Sequence, residues 1–179
     1  LEKESSFARK GIMLPPYDTR ETLTRLAEAI DRYKAQTIIA LGDSLHDEAG
    51  ASRLSEEDRD SLRILQEDRE WIWITGNHDP KISRDLGGHV RDELVVEGLT
   101  FRHEPSNGRV TREIAAHLHP AAKLSLHGYS FRRPCFVANG LRLVMPAFGT
   151  YAGGLNILDD AFEPLFGSDG MAVWMLGQE

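Results

Sequence analysis

The chain has 179 residues and is 41% hydrophobic, enough apolar material for one domain over residues 1–179 with a sizeable core. Its net charge of −7 argues against a protein that coats duplex DNA by phosphate neutralisation alone. No run of about 18 apolar residues suggests a membrane span, and no basic-then-apolar leader is visible. The single cysteine, Cys135, rules out an internal disulfide and fits a reducing cytoplasm; its neighbours Phe136 and Val137 favour a buried thiol over a nucleophile.

In chain order, Asp18-Thr19-Arg20-Glu21 reads as a capping signal. Leu23, Leu26, Ala27 and Ile30 then recur at helical spacing, which predicts a helix to about Lys34. Thr37–Leu41 is an apolar run of strand length, expected to be buried and ending at Gly42-Asp43. Ser55 starts a second predicted helix through about Arg69, with Leu62 and Leu65 inward. Trp71–Thr75 is the next strand, again followed by a glycine and a polar residue. Beyond residue 90 short strands replace helices. Leu94–Val96 and Leu99–Arg102 flank Glu97-Gly98 as a hairpin, and Cys135–Ala138 and Leu141–Met145 flank Asn139-Gly140, which suits a two-residue type I′ turn. Ser106–Gly108 and Gly153-Gly154 read as loops, and Ala172–Leu176 as a closing strand. A βα half followed by a β-rich half makes the fold class α/β.

Chemistry concentrates at the strand ends. Gly42-Asp43-Ser44-Leu45-His46-Asp47 and Gly76-Asn77-His78-Asp79 place Asp43 and Asn77 where open α/β sheets hold ligands. His103, His117 and His119 add three imidazoles, and in an extended strand end the i, i+2 pair points both rings to one face. Together these residues form a two-metal ligand set, since the two oxygens of Asp43 can bridge ions about 3.5–4 Å apart. Carboxylate, amide oxygen and imidazole suit manganese, iron or zinc rather than calcium or magnesium. Such a set implies hydrolysis by a hydroxide drawn from water that two metals acidify, with no covalent intermediate.

In this order, G-D-x-x-H-D, G-N-H-D, a lone His and H-x-H resemble the calcineurin-like metallophosphoesterase superfamily. Leu14–Thr19, Phe101–Pro105, His117–Pro120, Arg132–Phe136 and Pro146–Tyr151 narrow the resemblance to its bacterial DNA-ligase-associated branch, over nearly the whole chain. The resemblance implies a four-layer α/β/β/α sandwich. It also implies a manganese-dependent phosphodiesterase that nicks single-stranded DNA in repair, encoded beside a helicase, a ligase and an exonuclease. It assigns Asn77, His103 and His117 to one metal and His119 to the other, with Asp43 between them. His78 would contact the scissile phosphate and protonate the leaving oxygen, and Asp79 would orient that imidazole or act as a cap. The superfamily's first motif, D-x-H, is not in the chain. The family segment reads D-L-H-L-E-K and this sequence opens Leu1-Glu2-Lys3, so the Asp and His are expected just upstream of residue 1, with the first strand truncated. Ala116 stands where the family usually has glycine.

For His46, structural support and substrate contact both stay open. From residue 100 to 145 seven Lys or Arg face two acids, a local excess able to attract a phosphodiester despite the acidic whole. Within it Arg132 and Arg133, near Tyr129 and Phe131, would hold phosphates and stack a base as single-strand binders do, or form a solvated basic face. Two alternatives use the same fold: a small-molecule phosphodiesterase or phosphomonoesterase, and a catalytically degenerate scaffold for protein binding. The intact ligand set speaks against the scaffold.

Overall fold

The computed structural model describes residues 1–108, 110–167 and 170–177. The chain divides into two compact units, Leu1–Asp92 with Phe148–Tyr151, and Glu93–Ala147 with Ala152–Glu179. Among the described residues no helix is long and apolar enough to cross a membrane.

The first unit is a small parallel sheet with helices packed on it. In chain order it contains α1 (Lys3–Ala8), α2 (Asp18–Tyr33), β1 (Thr37–Leu41), α3 (Gly50–Arg53), α4 (Glu56–Gln66), β2 (Glu70–Ile74), a 3₁₀ turn (Arg84–Leu86) and β3 (His89–Arg91). The strand order is β1-β2-β3, with β2 parallel to both neighbours. Leu23 and Ile30 of α2 and Leu62 of α4 bury against Trp71 and Trp73 of β2. These indoles fill the core, and cutting either to alanine would cost about 3–5 kcal/mol. The strand expected to be fully buried, β1, is only half-buried, because it lies at the sheet's edge while β2 occupies the centre and is buried from Trp71 to Ile74.

Both helix boundaries carry a lesson. Asp18 and Thr19 do not cap α2: the cap position is Tyr17, without a side-chain bond. Instead Asp18 Oδ2 accepts the Lys3 N–H at 2.9 Å, and Thr19 Oγ1 accepts the Glu2 N–H at 2.9 Å and donates to Glu2 Oε1 at 3.0 Å. A buried N–H without an acceptor costs more than the about 1 kcal/mol a cap returns, so the side chains serve the preceding segment. Ser55 does cap α4, its Oγ accepting the Asp58 N–H at 3.1 Å. The helix stops three residues before the expected Arg69, since Glu67 is extended and Asp68 has φ +57°.

The second unit is β-rich. It contains β4 (Glu93–Val96), β5 (Leu99–Arg102), β6 (Glu113–Ala115), β7 (Pro120–Leu126), β8 (Tyr129–Ala138), β9 (Arg142–Val144), β10 (Leu155–Asn156), a 3₁₀ turn (Asp160–Phe162), α5 (Glu163–Phe166) and β11 (Ala172–Met175). The described strands form one mixed sheet in the order β10-β7-β8-β9-β6-β5-β4, with β11 antiparallel to β8. Phe162, Leu165 and Phe166 cover Cys135 and Val137 of β8, Val144 of β9 and Ala122 of β7. Burial pushes the Cys135 thiol up from its ordinary value, as expected for an inert core cysteine.

The β4–β5 hairpin forms as expected, Val96 opposite Leu99 with Glu97 and Gly98 at φ +50° and +75°. The second hairpin is shifted by one residue. Ala138 pairs with Leu143 and the Asn139 N–H bonds Arg142 O at 3.2 Å, so Gly140 and Leu141 are the turn residues. Of these only Gly140 has positive φ, +84°, the pattern of a type II′ turn rather than the type I′ the sequence suggested. Asn139 instead accepts the Leu141 and Arg142 N–H groups on its side-chain oxygen, at 3.2 and 3.0 Å.

Candidate functional site

In the first unit the candidate ligands stand at the carboxyl ends of β1 and β2, and one buried carboxylate organises both loops. Asp79 is fully buried. Its Oδ1 accepts the N–H groups of Asp43 and Gly76 at 2.9 and 3.0 Å, and its Oδ2 accepts that of Leu45 at 3.0 Å. Three N–H groups from two loops thus converge on one side chain. Burial pushes the Asp79 carboxyl above its ordinary value, the charge of Asp43 adding to this and the three hydrogen bonds opposing it. Of the two readings of Asp79, orienting the His78 ring or capping, the bonds observed are of the capping kind, because orphan N–H groups at two adjoining strand ends need acceptors.

Asp43 itself has φ +49°, a conformation rare for a non-glycine residue. Its Oδ1 accepts the His78 N–H at 2.9 Å, tying the two motifs together. Gly76 is required by this closeness, since a Cβ there would lie 2.2 Å from Asp43 Oδ1 and 2.3 Å from Asp43 N. Asn77 and His78 follow it and are exposed. The His78 ring is held by His46: Nδ1 lies 3.1 Å from His46 O, and the two rings stack with centroids 5.4 Å apart. A carbonyl can only accept, so Nδ1 carries the proton and Nε2 is the nitrogen left for chemistry. His46 thereby supports the His78 ring. Burial lowers the His46 pKa, with the charges of Lys3 and His78 acting in the same direction.

In the second unit His103 immediately follows β5 and is buried, while His117 and His119 occupy the connection between β6 and β7. Nδ1 of His117 lies 3.0 Å from Nε2 of His103, the rings edge to face at 80°. Two imidazole nitrogens at that separation fit two adjacent ligands of one cation, each at about 2.1 Å. The other nitrogen of His117 is 3.6 Å from the Glu104 carboxylate, too long for a hydrogen bond.

The backbone at H-x-H is not extended. His117 and His119 have φ +58° and +46°, and the Leu118 N–H bonds Ala116 O at 2.7 Å across His117, a γ-turn at positive φ. The alternation assumed from a strand end does not apply, because β6 has ended at Ala115. Asp43, His117 and His119 thus all sit in a strained region, each costing of order 1–3 kcal/mol.

Much of the basic excess is consumed internally. Arg142 is buried, donating to Glu113 Oε1 at 2.6 Å, to Leu165 O at 2.8 Å and to the carbonyls of Ser106 and Gly108. Glu113 Oε2 in turn accepts the Ser106 N–H at 3.1 Å. The loop after His103 is therefore clamped on its N–H and its carbonyls. Arg102 pairs with Glu93, and Arg109 lies outside the described residues. Arg132 and Arg133 are adjacent in β8, so they project to opposite faces of the sheet. Lys123 lies across from Arg132, which also bonds Gly154 O, while Tyr129 and Phe131 share the face of Arg133. The two arginines do not make one surface.

No protein-family model matches the chain, and no curated protein matches it. Among solved structures it is similar to the crystal structure of Pseudomonas putida nuclease MPE, with a TM-score of 0.70 and 28% sequence identity, over 88% of this chain and 78% of that chain.

Proposed function

We propose that the protein is a metal-dependent phosphodiesterase of the metallophosphoesterase type that cleaves single-stranded DNA endonucleolytically. The observation that carries this reading is the likeness to a nuclease over 88% of the chain, more than either unit contains. Metal dependence is supported by the donor chemistry of each unit, above all the 3.0 Å approach of His103 and His117. On this reading Asp43, Asn77, His103, His117 and His119 would serve as ligands to divalent cations, best suited to manganese, with iron and zinc also matching the donors. When bound, such cations would neutralise a phosphodiester's charge and acidify water at neutral pH.

The chain's own residues have defined tasks. Asp43 and Asn77 are held in place by Asp79 and by the tight packing at Gly76. His78, with its Nδ1–H committed to the His46 carbonyl, would act in its doubly protonated form, presenting Nε2–H to the scissile phosphate and giving that proton to the departing sugar oxygen. Arg133 and Tyr129, on one face of β8, are candidates to contact the strand. The enzyme would act in cytoplasmic DNA repair, in functional association with a ligase, a helicase and an exonuclease.

The test is incubation with closed circular single-stranded DNA and manganese, with Asn77→Ala alongside. Linearisation and fragmentation by the wild type alone is expected. Hydrolysis of bis-p-nitrophenyl phosphate without any DNA cleavage would move the reading to a small-molecule esterase. A second readout is thermal: manganese should raise Tm, by about 2.7 kcal/mol of stabilisation at a hundredfold excess over Kd, and His117→Ala should abolish that rise.

A further inference from the structure

The first unit contains a row of rings that extends beyond His78, the ring the proposed chemistry uses, through His46 to Phe7. The Phe7 ring of α1 lies 5.5 Å from that of His46, which stacks at 5.4 Å on His78. The ammonium groups of Lys3 and Lys10 each lie 5.8 Å from the Phe7 centroid, and Lys10 is exposed. Three rings thus follow one another from His78, the His46–His78 pair stacked and the Phe7–His46 pair tilted at 43°, with two cations over Phe7, on a chain whose net charge is −7.

The platform is held rigidly. Arg53 grips Asp47 with two hydrogen bonds, at 2.8 and 2.9 Å, and donates to Ser5 Oγ of α1 at 2.8 Å. Lys3 Nζ donates to Tyr151 O at 2.7 Å, so Lys10 is the cation with more freedom to meet a ligand. Helix α1 is thereby fixed beside the loop that carries His46. The Phe7 ring meets an imidazole and two ammonium groups.

We infer that Phe7, His46 and Lys10 form a nucleotide subsite, in which a base stacks on the Phe7–His46 rings and its phosphate meets Lys10, on the side of the scissile bond served by His78. Aromatic rings interleaved with cations recognise single strands without sequence preference, because every base has a π-face. The inference rests on the nuclease reading, and it assigns Phe7 and Lys10 as contacts that turn a general phosphodiesterase site toward polynucleotide.

Binding and cleavage separate the two proposals. Anisotropy of a short fluorescein-labelled oligothymidylate in EDTA reads the subsite without turnover. Phe7→Leu, which keeps apolar bulk, and Lys10→Gln are each expected to weaken binding about tenfold, with Phe7→Trp restoring it. On an abasic oligonucleotide the Phe7→Leu effect should vanish while that of Lys10→Gln persists. In the presence of manganese, the ratio of kcat/KM on DNA to that on bis-p-nitrophenyl phosphate should fall by a similar factor. Unchanged binding in Phe7→Leu, or equal losses on abasic and normal strands, would overturn the subsite. A wild type that binds the strand through Phe7 but cleaves neither substrate would leave the subsite standing and defeat the nuclease reading.

Discussion

The two units hold their candidate ligands with devices of opposite charge. In the first, the buried anion Asp79 collects three backbone N–H groups and so fixes the loops of Asp43 and Asn77. In the second, the buried cation Arg142, paired with Glu113, collects the carbonyls of Ser106, Gly108 and Leu165 and so fixes the loop after His103. Strand ends leave both kinds of backbone group unsatisfied, and a buried ion of either sign can satisfy them. The difference lies in compensation. Arg142 has a carboxylate partner, whereas burial raises the Asp79 pKa and the like charge of Asp43 adds to the rise.

The largest expected effect tests whether the two halves act as one. Asn77→Ala and His117→Ala should each lower DNA cleavage by at least about 10³-fold, and the double variant should fall no further, as for groups acting as a unit. Multiplicative losses in steady-state rates would separate the halves. Next comes Arg142→Ala, expected to cost about 3–5 kcal/mol in urea unfolding because it strands Glu113, while a joint Arg142→Met, Glu113→Leu variant should recover most of that loss.

Asp79→Ala should cost less, about 2–3 kcal/mol, but lower manganese affinity measured calorimetrically, since it frees Asp43 as well as Gly76. Unaltered affinity would mean that Asp79 serves only the fold. The smallest effect belongs to Asp47, whose carboxyl the Arg53 guanidinium holds well below the usual carboxylate range. A depressed folded-state pKa gives stability that is present above the unfolded value, about 3.9, and is lost as pH falls through the folded value. Asp47→Asn should therefore cost about 1 kcal/mol at pH 6, the gap to wild type shrinking below about pH 4. A gap independent of pH would assign it to packing.

Most elements were legible because their signals are local. Helical spacing in α2, the apolar run of β1, the serine cap of α4 and the glycine of the β4–β5 turn each act within a few residues, so the chain carries them on its face. The candidate ligands were legible for the same reason, as polar residues placed just after strands. What sequence left undecided depends on partners far along the chain. Asp18 and Thr19 look like caps until Glu2 and Lys3 arrive with unsatisfied N–H groups. Asp79 looks like a partner for His78 until three amides claim its oxygens. The seven basic residues from 100 to 145 look like one field until Arg142 is buried and β8 sends Arg132 and Arg133 to opposite faces. Propensity and spacing determined which residues could form strands, helices and ligands. Only tertiary structure decided where each hydrogen bond and charge was spent, because that competition is settled by burial and by the nearest unsatisfied group.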